Sequence, residues 1–155
     1  MPDSKEEGGD VPPAANRGEA ISTKTRGDAA EAAAARLVVS GGLELVARNV
    51  VAGGVELDII ARDSVAQPPL YVFVEVRSRA DTRLGHPLET VDSRKQKRLI
   101  RGATSWLLAA SLWERVAVRF DVIAITKDYG TRVDRPDALA SDEFVWLRGA
   151  FEADS

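Results

Sequence analysis

The sequence predicts an α/β domain with a central mixed β-sheet flanked by helices, in the order α-β-β-β-α-β. Three observations carry this reading. The chain has 155 residues, the size of one domain. Strand-period and helix-period segments follow one another along it in that order. Residues 70–79, LYVFVEVRSR, begin apolar on both faces, as a strand does inside a sheet covered on both sides.

Each element has a local reason. Residues 25–40 form a helix, because Ala29, Ala30 and the four alanines at 32–35 are strong helix formers. Ala30, Ala34, Leu37, Val38 and Gly41 share its inward side, and Gly41-Gly42 is a left-handed stop signal. Residues 43–49 are a first strand, and Gly53-Gly54 turns the chain. Val55, Leu57, Ile59 and Ala61 then alternate with Glu56, Asp58, Ile60 and Arg62, the period of a second strand. Gln67-Pro68-Pro69 breaks the connection to the third strand at 70–79. Residues 80–91 are a polar loop holding Gly85, His86 and Pro87. Asp92 or Ser93 caps a helix reaching about Trp113, with Leu99, Ala103, Trp106, Leu107 and Ala110 on its apolar face. Residues 116–125 are a fourth strand, 127–142 are loop, and 144–147 add a short edge strand. Trp106, Trp113 and Trp146 read as packing residues.

Residues 1–22 hold Val11 and Ile21 among glycines, prolines and charges, so they read as a disordered acidic tail before a domain at 23–155. The acidic start has no apolar core of a secretory signal, and no apolar run approaches bilayer length, so a cytoplasmic, non-membrane protein is expected. Cysteine is absent and His86 is the single histidine. Thiolate and histidine metal sites are thereby excluded, and any metal is held by oxygen, which favours Mg²⁺, Mn²⁺ or Ca²⁺.

The net charge of −3 is uneven. Residues 1–22 carry five acids against two bases, leaving the rest neutral, while residues 83–101 carry six bases against two acids. Arg94, Lys97, Arg98 and Arg101 fall at i, i+3, i+4 and i+7 of the second helix, and with Lys95 they form a basic segment able to track a phosphate backbone. An ordinary solvated face would look the same.

The chemistry concentrates on two strands. Glu56 and Asp58 share one face of the second, and Glu75 and Arg77 one face of the third. Buried carboxylates are costly unless paired or bound to a cation. Two strands that each project an acid can jointly hold one hard divalent cation. Salt bridges to Arg77, Arg79 or Arg48 would satisfy the same acids without a metal.

Several motifs in order resemble the YraN family, an uncharacterised protein family that shares a restriction-endonuclease-like core with the PD-(D/E)xK nucleases and Holliday-junction resolvases. Its pattern is a helix carrying Gly-Glu, a Gly-Glu-Ile-Asp-Leu-Ile strand, Phe-Val-Glu-Val-Lys-x-Arg, a later helical Lys, and Arg-Phe-Asp. This chain has Ala30-Glu31, Val55-Glu56-Leu57-Asp58-Ile59-Ile60, Phe73-Val74-Glu75-Val76-Arg77-Ser78-Arg79, Lys95, and Arg119-Phe120-Asp121, with Arg48-Asn49 also matching. The likeness spans residues 27–125.

The resemblance implies a restriction-endonuclease-like fold and a Mg²⁺- or Mn²⁺-dependent endonuclease. Asp58 and Glu75 would hold the metal, Glu31 would add a further ligand from the first helix, and Glu56 and Arg79 would lie behind them. Arg77 stands where the motif has Lys. It joins Asp58 and Glu75 as a catalytic candidate that acts through charge, since Arg does not give up its proton. The implied partner is nucleic acid, DNA ahead of RNA, and resolvases admit a homodimer. The alternative is an inactive binding or interaction module that keeps the fold, which the change to Arg77 favours.

Deleting residues 1–22 should leave the thermal midpoint nearly unchanged, because so little apolar surface is present there. A fall of many degrees would show that the segment docks on the domain.

Overall fold

A computed structural model describes residues 18–78, 91–125 and 144–153. They form α1 (Gly18–Ser40), β1 (Glu44–Ala52), β2 (Val55–Asp63), β3 (Leu70–Arg77), α2 (Ser93–Ala109), β4 (Ala117–Ile125) and β5 (Phe144–Phe151). The strands make one mixed sheet in sequential order. β1, β2 and β3 are antiparallel neighbours, β3 and β4 are parallel, and β5 returns antiparallel. The parallel step is the one whose connection includes α2, as such a crossover requires. The expected α/β class and mixed sheet are thus present, with the expected edge strand as β5.

The two helices divide the core. Ala33, Ala34, Ala35, Leu37 and Val38 of α1 pack on Ile59, Ala61, Val72, Val74, Ile123 and Ile125. Leu99, Ala103 and Leu107 of α2 pack on the other face, against Val55, Leu57, Ile60, Tyr71, Phe73, Phe120 and Val122. The ring of Trp106 lies 5.7 Å from that of Tyr71 and 5.9 Å from that of Phe73. β3 is therefore buried from both sides, which explains its apolar start.

Some boundaries differ from the sequence reading. α1 begins at Gly18, so it takes in five residues that composition placed in the tail. It stops as expected: Gly42 has φ +91°, and the N–H groups of Gly42 and Leu43 close onto the carbonyls of Val39 and Val38. α2 ends at Ala109 rather than near Trp113. Ser111 adopts φ 58°, and the Ser111 and Leu112 N–H groups return to the Leu108 and Leu107 carbonyls. A serine in the left-handed position hides this stop from a reading that looks for glycine. β5 runs to Phe151, beyond the expected Leu147. Residues 79–90 and 126–143, which hold Arg79, His86 and most of both expected loops, lie outside the described residues.

Asp121 bolts β5 to the sheet. It is fully buried and accepts hydrogen bonds from Arg119 Nε (2.8 Å), Arg119 Nη2 (2.9 Å), Trp146 Nε1 (3.0 Å) and the Gly149 N–H (2.9 Å). The β4–β5 register shifts between Phe120 and Val122, and Gly149 supplies the φ of +60° found in the opposing irregular stretch. Trp146 in turn lies over Gly41, where an added Cβ would come within 2.7 Å of the indole. Arg-Phe-Asp is thus a structural motif in this chain. Among the described residues no helix is long and apolar enough to cross a membrane.

Asp121→Ala should cost about 2–5 kcal/mol in urea unfolding, because it leaves the Trp146 and Gly149 donors unpaired in the interior. A loss below about 1 kcal/mol would mean that β5 is held by its apolar residues alone.

Candidate metal centre at the parting of two strands

The β2–β3 ladder runs from Asp63↔Leu70 to Ile59↔Val74 and goes no further. The next pair in that register would be Asp58 opposite Glu75. Beyond it β2 stays with β1, which pairs with it down to Ala52↔Val55. β3 stays with β4 through Arg77↔Ala124. The tip of the β1–β2 hairpin leaves the sheet plane and lies on α2. Gly102 permits the close approach, since a Cβ there would stand 3.0 Å from Val55 Cβ.

The departure is visible in the side chains. Leu57 belongs to the α2 core and Ile59 to the α1 core, although two residues apart on a regular strand share a face. Asn49, opposite Asp58 in the β1–β2 register, has φ 51°, a conformation that Asn tolerates better than most residues. At the gap the carboxylate of Asp58 takes the role of a strand carbonyl: its Oδ2 accepts the Val76 N–H at 2.9 Å.

Acids converge on this gap from both faces. Oxygens of Glu31, Glu56 and Asp58 lie within 4.8 Å of one another. Glu31 comes from α1 and is hydrogen-bonded by the side chain of Asn49. Its Oε2 is buried without a hydrogen-bond partner. Asp58 also meets the Glu75 side chain. Glu75 is 5% exposed, and its Oε1 lies 2.7 Å from Lys95 Nζ and 3.8 Å from Arg77 Nη1.

The structure therefore brings together Glu31, Glu56, Asp58, Glu75 and Arg77, and adds Lys95 from α2. Glu56 stands among the clustered oxygens and not behind them. Arg94, Lys97, Arg98 and Arg101 line, with Ser93, a separate groove of about 400 Å³. Arg79 lies outside the described residues. The sequence reading placed Lys95 with the basic segment and, through the resemblance, at the pattern's later helical lysine, and it gave Asn49 no role beyond its match to the pattern. Lys95 is out of phase with the i, i+3, i+4, i+7 stripe, and that offset was the available signal.

The acids oppose one another electrostatically. Burial, then the neighbouring Glu75 carboxylate, and further the Glu31 charge push the Asp58 carboxyl up to about 7, against the pull of the Val76 N–H. Burial also raises the Glu31 carboxyl, opposed by its Asn49 hydrogen bond. The orphaned Glu31 oxygen and the all-oxygen donor set fit a hard divalent cation. Asp58, Glu75, Glu31 and Glu56 are the residues available to hold it.

A carboxyl raised above its ordinary value of 3.8 makes the metal-free fold lose stability as pH climbs from about 4 through about 7. Asp58→Asn keeps an oxygen for the Val76 N–H and removes the charge. In urea unfolding with chelator present, the variant should show a flatter pH dependence than wild type between 4 and 8, and greater stability at pH 8. Parallel curves would show that the Asp58 charge is already relieved.

The chain has relatives across this whole region. The model of the uncharacterised protein family UPF0102 matches residues 30–125. A UPF0102 protein of Chromohalobacter salexigens is 42% identical over 131 residues, covering 84% of this chain and 94% of the relative. One of Marinobacter nauticus is 38% identical over 124 residues, covering 80% and 89%. One of Pseudomonas putida is 38% identical over 133 residues, covering 86% and 97%. The matched span holds α1 from its middle, the hairpin, β3, α2 and β4, and so every acid of the candidate centre. The chain belongs to the uncharacterised protein family UPF0102.

Proposed function

We propose that the protein is a metal-dependent nuclease that hydrolyses phosphodiester bonds at the gap between β2 and β3. One observation carries the reading: Asp58 and Glu75, on strands that part at their own position, meet each other, two further acids and two cations. Acids bind a hard cation there, and cations beside them suit a phosphate. A bound Mg²⁺ or Mn²⁺ would lower the pKa of water and offset phosphate charge.

The protein's own residues supply the rest. Asp58 and Glu75 hold the metal, with Glu31 and Glu56 as the oxygens on the α1 side. Arg77 keeps its charge at any ordinary pH and offsets developing phosphate charge without taking a proton. The groove lined by Arg94, Lys97, Arg98 and Arg101 binds the nucleic-acid backbone beyond the cleaved bond, DNA ahead of RNA. The arginine at 77 also favours a second reading, a nucleic-acid-binding module without turnover.

Labelled linear, flap and four-way-junction substrates with Mg²⁺ or Mn²⁺ separate these readings. Wild type should cut at least one of them, and Asp58→Asn and Glu75→Gln should not. Replacing Arg94, Arg98 and Arg101 by Gln should weaken binding and flatten its salt dependence, since each lost phosphate contact removes counterion release. Binding without cutting under either metal establishes the second reading. Unchanged binding and salt slope in the triple variant would make the stripe a solvated face.

A further inference from the structure

We propose that Lys95, and not Arg77, is the cation that touches the scissile phosphate and the attacking water. The inference rests on the hydrolytic reading of the centre and gives a role to Lys95, which matches the later helical lysine of the family pattern and which the sequence reading grouped with the basic segment.

Both cations address the same oxygen, Glu75 Oε1, but not equally. Lys95 Nζ is at 2.7 Å and Arg77 Nη1 at 3.8 Å. Their exposure differs in the same direction. The Lys95 side chain is 33% exposed and that of Arg77 16%, with Arg77 Nε buried. Arg77 rises from the sheet floor, whereas Lys95 enters from a helix with one side open to solvent, where a substrate must arrive. A lysine ammonium has three N–H donors, and the pair with Glu75 uses one of them.

The backbone holds Lys95 firmly in this place. It sits in the first turn of α2, where Asp92 Oδ1 accepts its own backbone N–H at 2.8 Å. Val91, 1% exposed, anchors the preceding residue in the α2 core, and Gln96 Nε2 donates to the Val91 carbonyl at 3.0 Å. The positive end of the helix dipole adds to the lysine charge at the same point. Neighbours 94 and 95 divide the work of the turn: Arg94 lines the basic groove and Lys95 faces Glu75.

In the step itself a water oxygen forms a bond to phosphorus, and the bond to the leaving sugar oxygen breaks. The leaving oxygen keeps the electron pair and takes a proton from solvent, while the proton of the attacking water departs to solvent. Lys95 orients the water and offsets charge on the phosphate. A purely structural lysine would instead only neutralise Glu75, and its loss would then weaken metal binding and the fold.

The test compares Lys95→Gln, Arg77→Gln and Lys95→Gln/Arg77→Lys in the full chain, on whichever labelled substrate wild type cuts. Calorimetric Mn²⁺ affinity and thermal midpoint are measured alongside kcat and KM. Lys95→Gln should lose about 100-fold or more in kcat, as for a positioned charge donor. Its KM and Mn²⁺ affinity should stay within about twofold of wild type. Arg77→Gln should lose less, and Arg77→Lys should recover at least about tenfold in the Lys95→Gln background by returning an ammonium to Glu75. Lys95→Gln cutting like wild type overturns the assignment while leaving the hydrolytic reading intact. So does a loss matched by lost Mn²⁺ affinity, or a larger loss in Arg77→Gln. Wild type that binds Mn²⁺ and nucleic acid but cuts nothing overturns the hydrolytic reading and this role together.

Discussion

The parting of β2 from β3 is the constraint on which the rest of the centre depends. A continuous ladder would pair Asp58 with Glu75 and fill the space between them with backbone hydrogen bonds. The ladder instead ends at Ile59↔Val74, and the Asp58 carboxylate accepts the Val76 N–H that lies beyond it. That single bond satisfies a donor at the strand's exit. It also fixes a carboxylate in the gap, where side chains from both faces of the sheet can reach it.

Two residues, one in the hairpin and one in α2, accommodate the parting. Asn49 accepts a left-handed conformation opposite Asp58, and Gly102 lets Val55 and Leu57 settle on α2. The hairpin tip thus exchanges strand pairing for apolar burial against a helix. With the tip moved aside, α1 delivers Glu31 from one face and α2 delivers Lys95 from the other. Asp121 does comparable work at the far edge, where four donors to one buried carboxylate hold β5 and seat Trp146 over the end of α1.

Charge balance sets how the acids at the gap share their protons. Four acids share the gap, and burial with the neighbouring Glu75 and Glu31 charges pushes the Asp58 carboxyl up to about 7. Glu75 is relieved directly by Lys95 and Arg77, so the strain falls on Asp58 and Glu31. The Val76 N–H offsets part of this at Asp58 and the Asn49 side chain part of it at Glu31.

The sequence by itself determined the element order, both helices, the four principal strands with a short edge strand after them, and which two strands bear the acids. Those features rest on local periodicity and on stop signals such as Gly41-Gly42, which act over a few residues. The grouping of Glu31 with Asp58 and Glu75 came instead from the family resemblance that the ordered motifs carry. Tertiary structure alone decided where the strands separate, because the face switch between Leu57 and Ile59 is driven by α2, some forty residues away. It likewise turned Lys95 from a member of a surface stripe into a partner of Glu75 at 2.7 Å, and Asp121 into a hub. Periodicity reports which side of an element a residue takes. Only the packing of distant elements reports what stands on that side.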